Sequence, residues 1–295
     1  TQGVSSAASD VYKRQFPMSS QDIAISAPGK GTALITGAST GIGAVYAERL
    51  ARRGHDLVLV ARNKERLEAL AERLVRETGR RVEVLAADLT ATADLRRVEE
   101  RLRTDERITL LLNNAGLGAT ATLLDSDPDQ IDTMIQLNVV ALTRLTRAVA
   151  PGFVARGGGA LINIASIVAL SPELLNGSYS GSKAYVVNLS QSLHHELGAK
   201  GVKVQAVLPG ATRTDFWGIA GVPVEHLPQE IVMSAEDLVD SALAGFDAGE
   251  LITIPSLPDV EDWKRFDAAR QALGPNLSRS VPAARYAKAA TATAA

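Results

Sequence analysis

Tyr179 and Lys183 stand four residues apart in Tyr179-Ser180-Gly181-Ser182-Lys183. On a helix that spacing puts both side chains on one face, with Cβ atoms roughly 5–6 Å apart. A phenol with a pKa near 10 is a poor acid or base at neutral pH. A neighbouring ammonium favours the phenolate and lowers that value. Ser166 lies thirteen residues upstream, at the end of an apolar run, with a hydroxyl able to donate to a carbonyl oxygen. A Tyr-x-x-x-Lys pair by itself is commonly a surface pair. With Ser166 beside it, the combination suits proton exchange with an oxygen atom during reaction at the adjoining carbon.

A second set of residues suits a dinucleotide. Thr36-Gly37-Ala38-Ser39-Thr40-Gly41-Ile42-Gly43 follows a β-branched run and opens a helical pattern, its glycines spaced G-x3-G-x-G. Backbone without Cβ atoms can approach a pyrophosphate closely, and a helix N-terminus offers free N–H groups to it. Taken alone, the same residues also make a plain Gly-rich turn. The next apolar run ends at Val60-Ala61-Arg62-Asn63. An acidic residue there would accept the ribose 2′-hydroxyl of NAD, whereas an Arg suits a 2′-phosphate. The acid is missing, Arg62 is present and Ser39 can add a hydroxyl, so we expect NADP(H) to be preferred over NAD(H). Asp88-Leu89 and Asn113-Asn114-Ala115-Gly116 close two further runs. At the carboxyl ends of parallel strands such residues line the ligand crevice.

Other candidates are blander. Gly29-Lys30-Gly31-Thr32 lacks the glycine spacing of a phosphate-binding P-loop. His194-His195-Glu196 lacks the H-E-x-x-H spacing of a zinc site, and no metal is expected. Arg62, Lys64, Arg66, Arg73, Arg76, Arg80 and Arg81 alternate with glutamates and read as a solvated helix face.

The elements that must position these residues are visible as alternation. Apolar runs recur at Thr32–Thr36, Leu57–Ala61, Val82–Ala86, Ile108–Leu112, Ala160–Ala165, Val202–Leu208 and Leu251–Ile254, with helix-period segments between them. In Lys64–Thr78, Leu67, Leu70, Leu74 and Val75 share one face, and Gly79 supplies a stop. Strands alternating with helices predict right-handed crossovers and a parallel sheet. The continuously apolar strands predict a sheet covered on both faces. The expected fold is α/β, a single doubly wound Rossmann domain with a seven-stranded parallel sheet flanked by helices.

Composition agrees and excludes alternatives. The 295 residues include 31 Lys+Arg and 33 Asp+Glu, a net charge of −2, with 46% hydrophobic and 22% charged residues. These values match a folded globular protein and give no electrostatic footprint for nucleic acid or an anionic membrane. Cys is absent, so disulfides, thiolate metal sites and a catalytic thiol are excluded. The longest apolar-rich run, Ala160 to Leu170, is broken by Asn163 and Ser166 and falls short of the roughly 18 residues of a membrane span. A cytoplasmic location is expected.

From about Gly31 to Ile254 the chain resembles a classical short-chain dehydrogenase/reductase. The resemblance rests on TGASTGIG at 36–43, Asp88-Leu89, NNAG at 113–116, Asn138 in LNV, Ser166, YSGSK at 179–183 and Pro209-Gly210-Ala211-Thr212-Arg213-Thr214. It implies an NAD(P)-dependent oxidoreductase acting on CH–OH or C=O. It implies Tyr179 as catalytic acid/base and Lys183 as the residue that holds the nicotinamide ribose and tunes the phenol. Ser166 would orient the carbonyl and Asn138 would support a water-linked proton relay. Cofactor contacts would come from Gly37, Ser39, Thr40, Gly41, Ile42, Gly43, Arg62, Asp88, Leu89, Asn114, Ala115, Gly116, Tyr179, Lys183, Pro209, Gly210, Thr212 and Thr214. Thr40 departs from relatives that carry a second basic residue there. A homodimer or homotetramer is implied.

The apolar segment Phe216, Trp217, Ile219, Val222, Pro223, Val224, Leu227 and Pro228, with Leu170, Leu174 and Leu175, predicts a substrate with an apolar body. Core packing or a subunit contact would use the same residues. A non-catalytic NADP-binding regulator, an NAD-preferring relative, and epimerisation or dehydration on the same scaffold are the alternatives. Residues 1–17 precede the first Met and read as a non-native leader; 18–256 are expected to form the catalytic domain. Residues 257–295 form a C-terminal extension whose last dozen or so residues are expected to be disordered.

Overall fold

Seven apolar runs become seven parallel strands in the order β3-β2-β1-β4-β5-β6-β7. The structure, a computed structural model, describes residues 30–221 and 223–286. The expected leader (1–17), Val222 and the chain after Tyr286 lie outside those residues. The strands are β1 (Thr32–Thr36), β2 (Asp56–Ala61), β3 (Val82–Ala86), β4 (Ile108–Asn113), β5 (Gly159–Ile164), β6 (Val202–Val207) and β7 (Ile252–Thr253). The helices are α1 (Gly41–Arg52), α2 (Lys64–Thr78), α3 (Thr92–Thr104), α4 (Pro128–Ile135), α5 (Leu142–Ala155), α6 (Gly177–Leu197), α7 (Phe216–Ile219), α8 (Ala235–Asp247) and α9 (Val260–Ala272). The chain order reverses between β1 and β4, and the crevice at their carboxyl ends is where doubly wound sheets bind ligands.

Side-chain alternation along each strand feeds two cores. Ala33 and Ile35 of β1, Leu110 and Leu112 of β4, and Ile162 of β5 pack with α1, α2 and α8. Leu34, Leu111 and Leu161 face the other way, onto α3 and α5. Each fully buried Leu or Ile stabilises the fold by about 1.5–3 kcal/mol. Both faces are therefore apolar, as the continuous runs predict. Helix α2 keeps its predicted bounds. Asn63 caps it by accepting from the Arg66 N–H at 2.9 Å, and Gly79 ends it at φ 67°.

Departures from the expected bounds lie at strand ends. β4 runs one residue further, to Asn113, because Asn113 pairs in register with Asn163 of β5. β7 contracts to two residues because only Ile252 and Thr253 find partners on β6. Gln136–Ala141 forms a π-helical segment between α4 and α5, and Asn138 sits buried within it. Such segments insert extra backbone into a helix and frequently occur at functional sites. Among the described residues no helix is long and apolar enough to cross a membrane.

Candidate active site

The carboxyl ends of β1, β4, β5 and β6 meet around a wall built on α6. Asn176 starts that helix. Its Oδ1 accepts from the N–H groups of Ser178 (2.8 Å) and Tyr179 (3.3 Å), satisfying donors that a helix end leaves open. Its Nδ2 donates to the Ala121 carbonyl (2.7 Å) and Ser126 Oγ (3.1 Å), tying the helix to the loop after β4. Tyr179, Ser182 and Lys183 are all buried on the inner face. Sequence reasoning missed Asn176, although an Asn ahead of a helical pattern is a recognised start signal.

The structure brings the four expected catalytic residues into one connected group. The Ser166 side chain stands beside the Tyr179 phenol and favours its charged form. Ser166 Oγ also donates to the Pro209 carbonyl at 3.4 Å and accepts from the Val168 N–H at 3.4 Å. Lys183 Nζ donates to the Ile164 carbonyl at 3.0 Å and lies 5.8 Å from the centre of the Tyr179 ring. Asn138 Nδ2 donates to Ser182 Oγ (3.1 Å) and to the Leu117 carbonyl (2.9 Å), while its Oδ1 accepts from the Leu117 N–H (2.9 Å). A Cβ on Gly116 would lie 3.2 Å from Asn138 Oδ1 and 3.4 Å from Lys183 Nζ, so the backbone of Gly116 faces both.

Electrostatics in this group differ from the expectation that Lys183 lowers the phenol. Burial pushes the Tyr179 phenol up to about 12, against an opposing effect of the neighbouring Ser166. Burial also brings the Lys183 ammonium down to about 8. The i,i+4 spacing does bring the ammonium to the ring. Desolvation nevertheless outweighs it, because both groups have left water and the Nζ bond goes to a carbonyl.

A cradle at the start of α1 forms the second part of the site. Gly37 (φ 65°) and Gly41 (φ 54°) adopt left-handed conformations that only glycine enters without cost. A Cβ on Gly43 would lie 2.2 Å from the Gly37 carbonyl oxygen, so the turn closes only on glycine. Ser39, Thr40, Gly41 and Ile42 remain half-exposed around the first N–H groups of α1. Thr214 closes the far side, with its Cγ2 3.0 Å from where a Cβ on Gly41 would stand. This arrangement of free N–H donors and absent Cβ atoms fits a pyrophosphate.

Asn114 holds the cradle against β4 by donating from Nδ2 to the carbonyls of Thr36 and Gly37, each at 3.0 Å. Thr36 Oγ1 accepts from the N–H groups of Asn114 and Ala115 at 3.0 Å and donates to the Leu112 carbonyl at 3.2 Å. Thr36 opens the expected glycine motif, but its bonding role is not legible there, since its partners lie 76 to 79 positions away. Asn113, expected to line the crevice, turns inward instead. Its Nδ2 donates to Thr146 Oγ1 (3.0 Å) and Asn163 Oδ1 (2.9 Å), and Asn163 continues to Ser190 Oγ (2.9 Å).

Arg62 is exposed at the end of β2, and its charge acts on Asp88. Burial alone would raise the Asp88 carboxyl. Bonds from Thr90 N–H (3.0 Å) and Oγ1 (2.7 Å), with Arg62 nearby, outweigh burial and hold it below the usual range. Leu89 is packed into the core, and Ala115 and Ile42 lean on core residues, so these three offer the crevice chiefly backbone. Pro209 and Thr212 are buried. Thr212 Oγ1 donates to the Gly210 carbonyl at 3.1 Å.

Beside the phenol the wall is apolar. Tyr179 clusters with Met134 and Val168, lined by Leu117, Ala119, Leu175 and Phe216. The Phe216 ring lies 6.0 Å from the Tyr179 ring and meets Trp217 edge-on at 5.6 Å. Leu170 is half-buried, whereas Leu174 is exposed on the outside. The histidines His194 and His195 stand at the opposite end of α6, beside a shallow hollow of about 560 Å³ before β6.

Three comparisons bear on this geometry. The short chain dehydrogenase profile matches residues 31–220. A short-chain dehydrogenase from Sphingobium yanoikuyae, solved in complex with NADPH, is 54% identical, with a TM-score of 0.85, over 87% of this chain and 99% of that one. A bulky-bulky ketone specific alcohol dehydrogenase from Comamonas testosteroni is 48% identical, with a TM-score of 0.82, over 88% of this chain and 100% of that one. Human 17-beta-hydroxysteroid dehydrogenase type 3 is 38% identical over 186 residues, 62% of this chain. The match spans 59% of that protein's length.

Proposed function

The chain belongs to the short chain dehydrogenase family, and we propose that it is an NADP(H)-dependent oxidoreductase interconverting a ketone and a secondary alcohol on a substrate with an apolar body. The observation that carries this reading is the buried contact between the Ser166 hydroxyl and the Tyr179 phenol, with Lys183 behind them and an apolar wall beside them. The solved relatives bound to NADPH and specific for bulky ketones support the same reading.

Nicotinamide, when bound, supplies or accepts the hydride. The residues here do the rest. Gly37, Ser39, Thr40, Gly41 and Ile42 offer the pyrophosphate a Cβ-poor cradle and helix N–H groups. Asn114, Ala115, Gly116, Pro209, Gly210, Thr212 and Thr214, with Asp88 and Leu89, would line the cofactor crevice. Arg62 offers a guanidinium to a 2′-phosphate, which it can bind through two parallel hydrogen bonds.

A raised phenol pKa means that Tyr179 carries its proton at neutral pH. The Tyr179 hydroxyl is then the acid that protonates the carbonyl oxygen during reduction. Ser166 Oγ, beside the phenol, would donate to the same oxygen and orient it. Lys183 holds positive charge at the phenol's edge, and Asn138 fixes the backbone of Leu117 and the hydroxyl of Ser182 between the two. The surrounding apolar side chains exclude water, which strengthens each of these interactions.

Tyr179→Phe tests the proposal. Turnover on a ketone panel should fall at least about 10³-fold, the scale of a lost general acid, while NADPH fluorescence titration changes little. Retained turnover would defeat the assignment. Tight NADPH binding with no turnover by the unmodified chain on any carbonyl would favour the regulator.

A further inference from the structure

Among the described residues, two surfaces expose apolar side chains. The first is the C-terminal arm, whose first part, α9, also carries Glu261, Asp262 and Asp267. No residue of α9 is buried. Trp263, half-buried, leans on a core cluster alongside Ile167 and Leu170, and Asp267 accepts from Gln191 Nε2 at 3.4 Å. Phe266, Leu273, Leu277, Val281 and Tyr286 all stand exposed, Leu277 at 76%. A helix of this length is marginal in water without a packed face. From 268 to 286 the arm carries Arg270, Arg279 and Arg285 and no carboxylate. Arg279 and Arg285 enter no ion pair among the described residues; Arg279 donates only to Asn276 Oδ1 and Arg285 lies over Tyr286.

The second surface is the rim of the site, residues 120–135. It carries Asp125, Asp127, Asp129 and Asp132 and no basic residue. None of these aspartates enters an ion pair among the described residues. Leu123 and Leu124 stand exposed between them, Leu124 at 95%. Just behind this rim, Leu117 and Ala119 line the Tyr179 cluster.

We infer that the C-terminal arm of one molecule docks on the acidic, apolar rim of a second copy, so that each copy borders its partner's substrate mouth. Charge complementarity selects the pairing, with the basic distal part of the arm (268–286, with Arg279 and Arg285 outside any ion pair among the described residues) against the acidic rim, and leucines on both. Within one molecule, Trp263 and Asp267 hold α9 on the α6 side. A standard interface buries about 800 Å² per partner, so the contact takes in the backbone and polar neighbours of these side chains as well. A two-fold dimer would use this contact twice. The inference stands apart from the chemistry assigned to the site.

The absence of cysteine gives a clean test. Full-length Leu124→Cys and Leu277→Cys chains, purified separately and then mixed, are treated with a short bismaleimide and resolved under denaturing conditions. The expected result is a dimer band enriched in the mixture over either chain alone. Arg279→Glu/Arg285→Glu on the Leu277→Cys chain should reduce that band at least about tenfold, as should raised salt. Asp129→Arg/Asp132→Arg on the Leu124→Cys chain should restore it. Unfolding curves matching the unmodified chain certify folding, since all four charges are on the surface. No enrichment in the mixture, enrichment indifferent to charge reversal, or loss without restoration overturns the inference. A Leu124→Cys/Leu277→Cys chain that cross-links only within itself would place the arm over its own mouth and overturn it equally.

Discussion

A Cβ atom on Gly118 would lie 2.1 Å from Cζ of Phe216, so the glycine is the notch in which that ring is seated. The ring in turn faces Tyr179, and its neighbour Trp217 is anchored by a 2.9 Å bond from Nε1 to the Thr212 carbonyl. The loop after β4 and the segment after β6 therefore meet over the phenol, and a second bond joins Thr120 Oγ1 to the Ala220 carbonyl.

Gly118→Ala should drive the Phe216 ring off its seat and narrow the site. The expected outcome is a selective loss, about tenfold in kcat/KM, for ketones with two large substituents relative to those with one. Phe216→Ala should shift selectivity the opposite way. Steady-state kinetics on paired small and bulky ketones would check both, and parallel behaviour of the two substrate sets would show that the ring does not wall the pocket.

Arg62→Glu replaces an exposed guanidinium at the end of β2 with a carboxylate facing Asp88. Repulsion of a 2′-phosphate should lower kcat/KM with NADPH at least about 50-fold, while NADH changes by less than about threefold, because like charges in contact cost several kcal/mol. Equal losses with both cofactors would remove Arg62 from the recognition site.

Ser166→Ala removes the hydroxyl that opposes the effect of burial on Tyr179. That neighbour favours the charged phenolate, so its loss raises the phenol further. Alcohol oxidation requires the phenolate, and its pH–rate profile should move to higher pH as well as to lower rate. Ketone reduction requires the protonated form, so it should lose rate while its alkaline limb, set by the same phenol, moves to higher pH as well. An unshifted oxidation profile would mean that the serine acts on the substrate alone.

Asn176→Ala removes the cap of α6 and two bonds to the loop after β4. Loss of the cap costs about 1 kcal/mol, and thermal unfolding should register a drop of a few degrees. Because Tyr179 is the third residue of that helix, kcat should fall as well. Asn176→Asp keeps the capping acceptor but not the donors to Ala121 and Ser126. It should recover most of the stability and less of the rate; identical rates for the two variants would separate the loop tie from catalysis.

Much of this molecule is legible along the chain. Strands β1 and β3 and helix α2 keep their predicted bounds, since apolar runs and helix-period patterns report burial of near neighbours. The glycines of the cradle announce themselves because a left-handed φ at Gly37 and Gly41 leaves little choice of residue. Tyr179 and Lys183 could be paired from spacing because a helix fixes which residues share a face.

Relations across the sheet required the tertiary structure. Asn113 and Asn114 are adjacent and chemically identical, yet strand pleating sends one into the interior ladder and the other to the cradle. Thr36 meets its partners only because β4 lies beside β1, a consequence of sheet order rather than of any local pattern. The phenol rises instead of falling because burial sums over every surrounding element, whereas spacing reports one neighbour. Residue types and backbone freedom thus determined which chemistry is available; packing over long separations decided which of those groups meet, and how far each is removed from water.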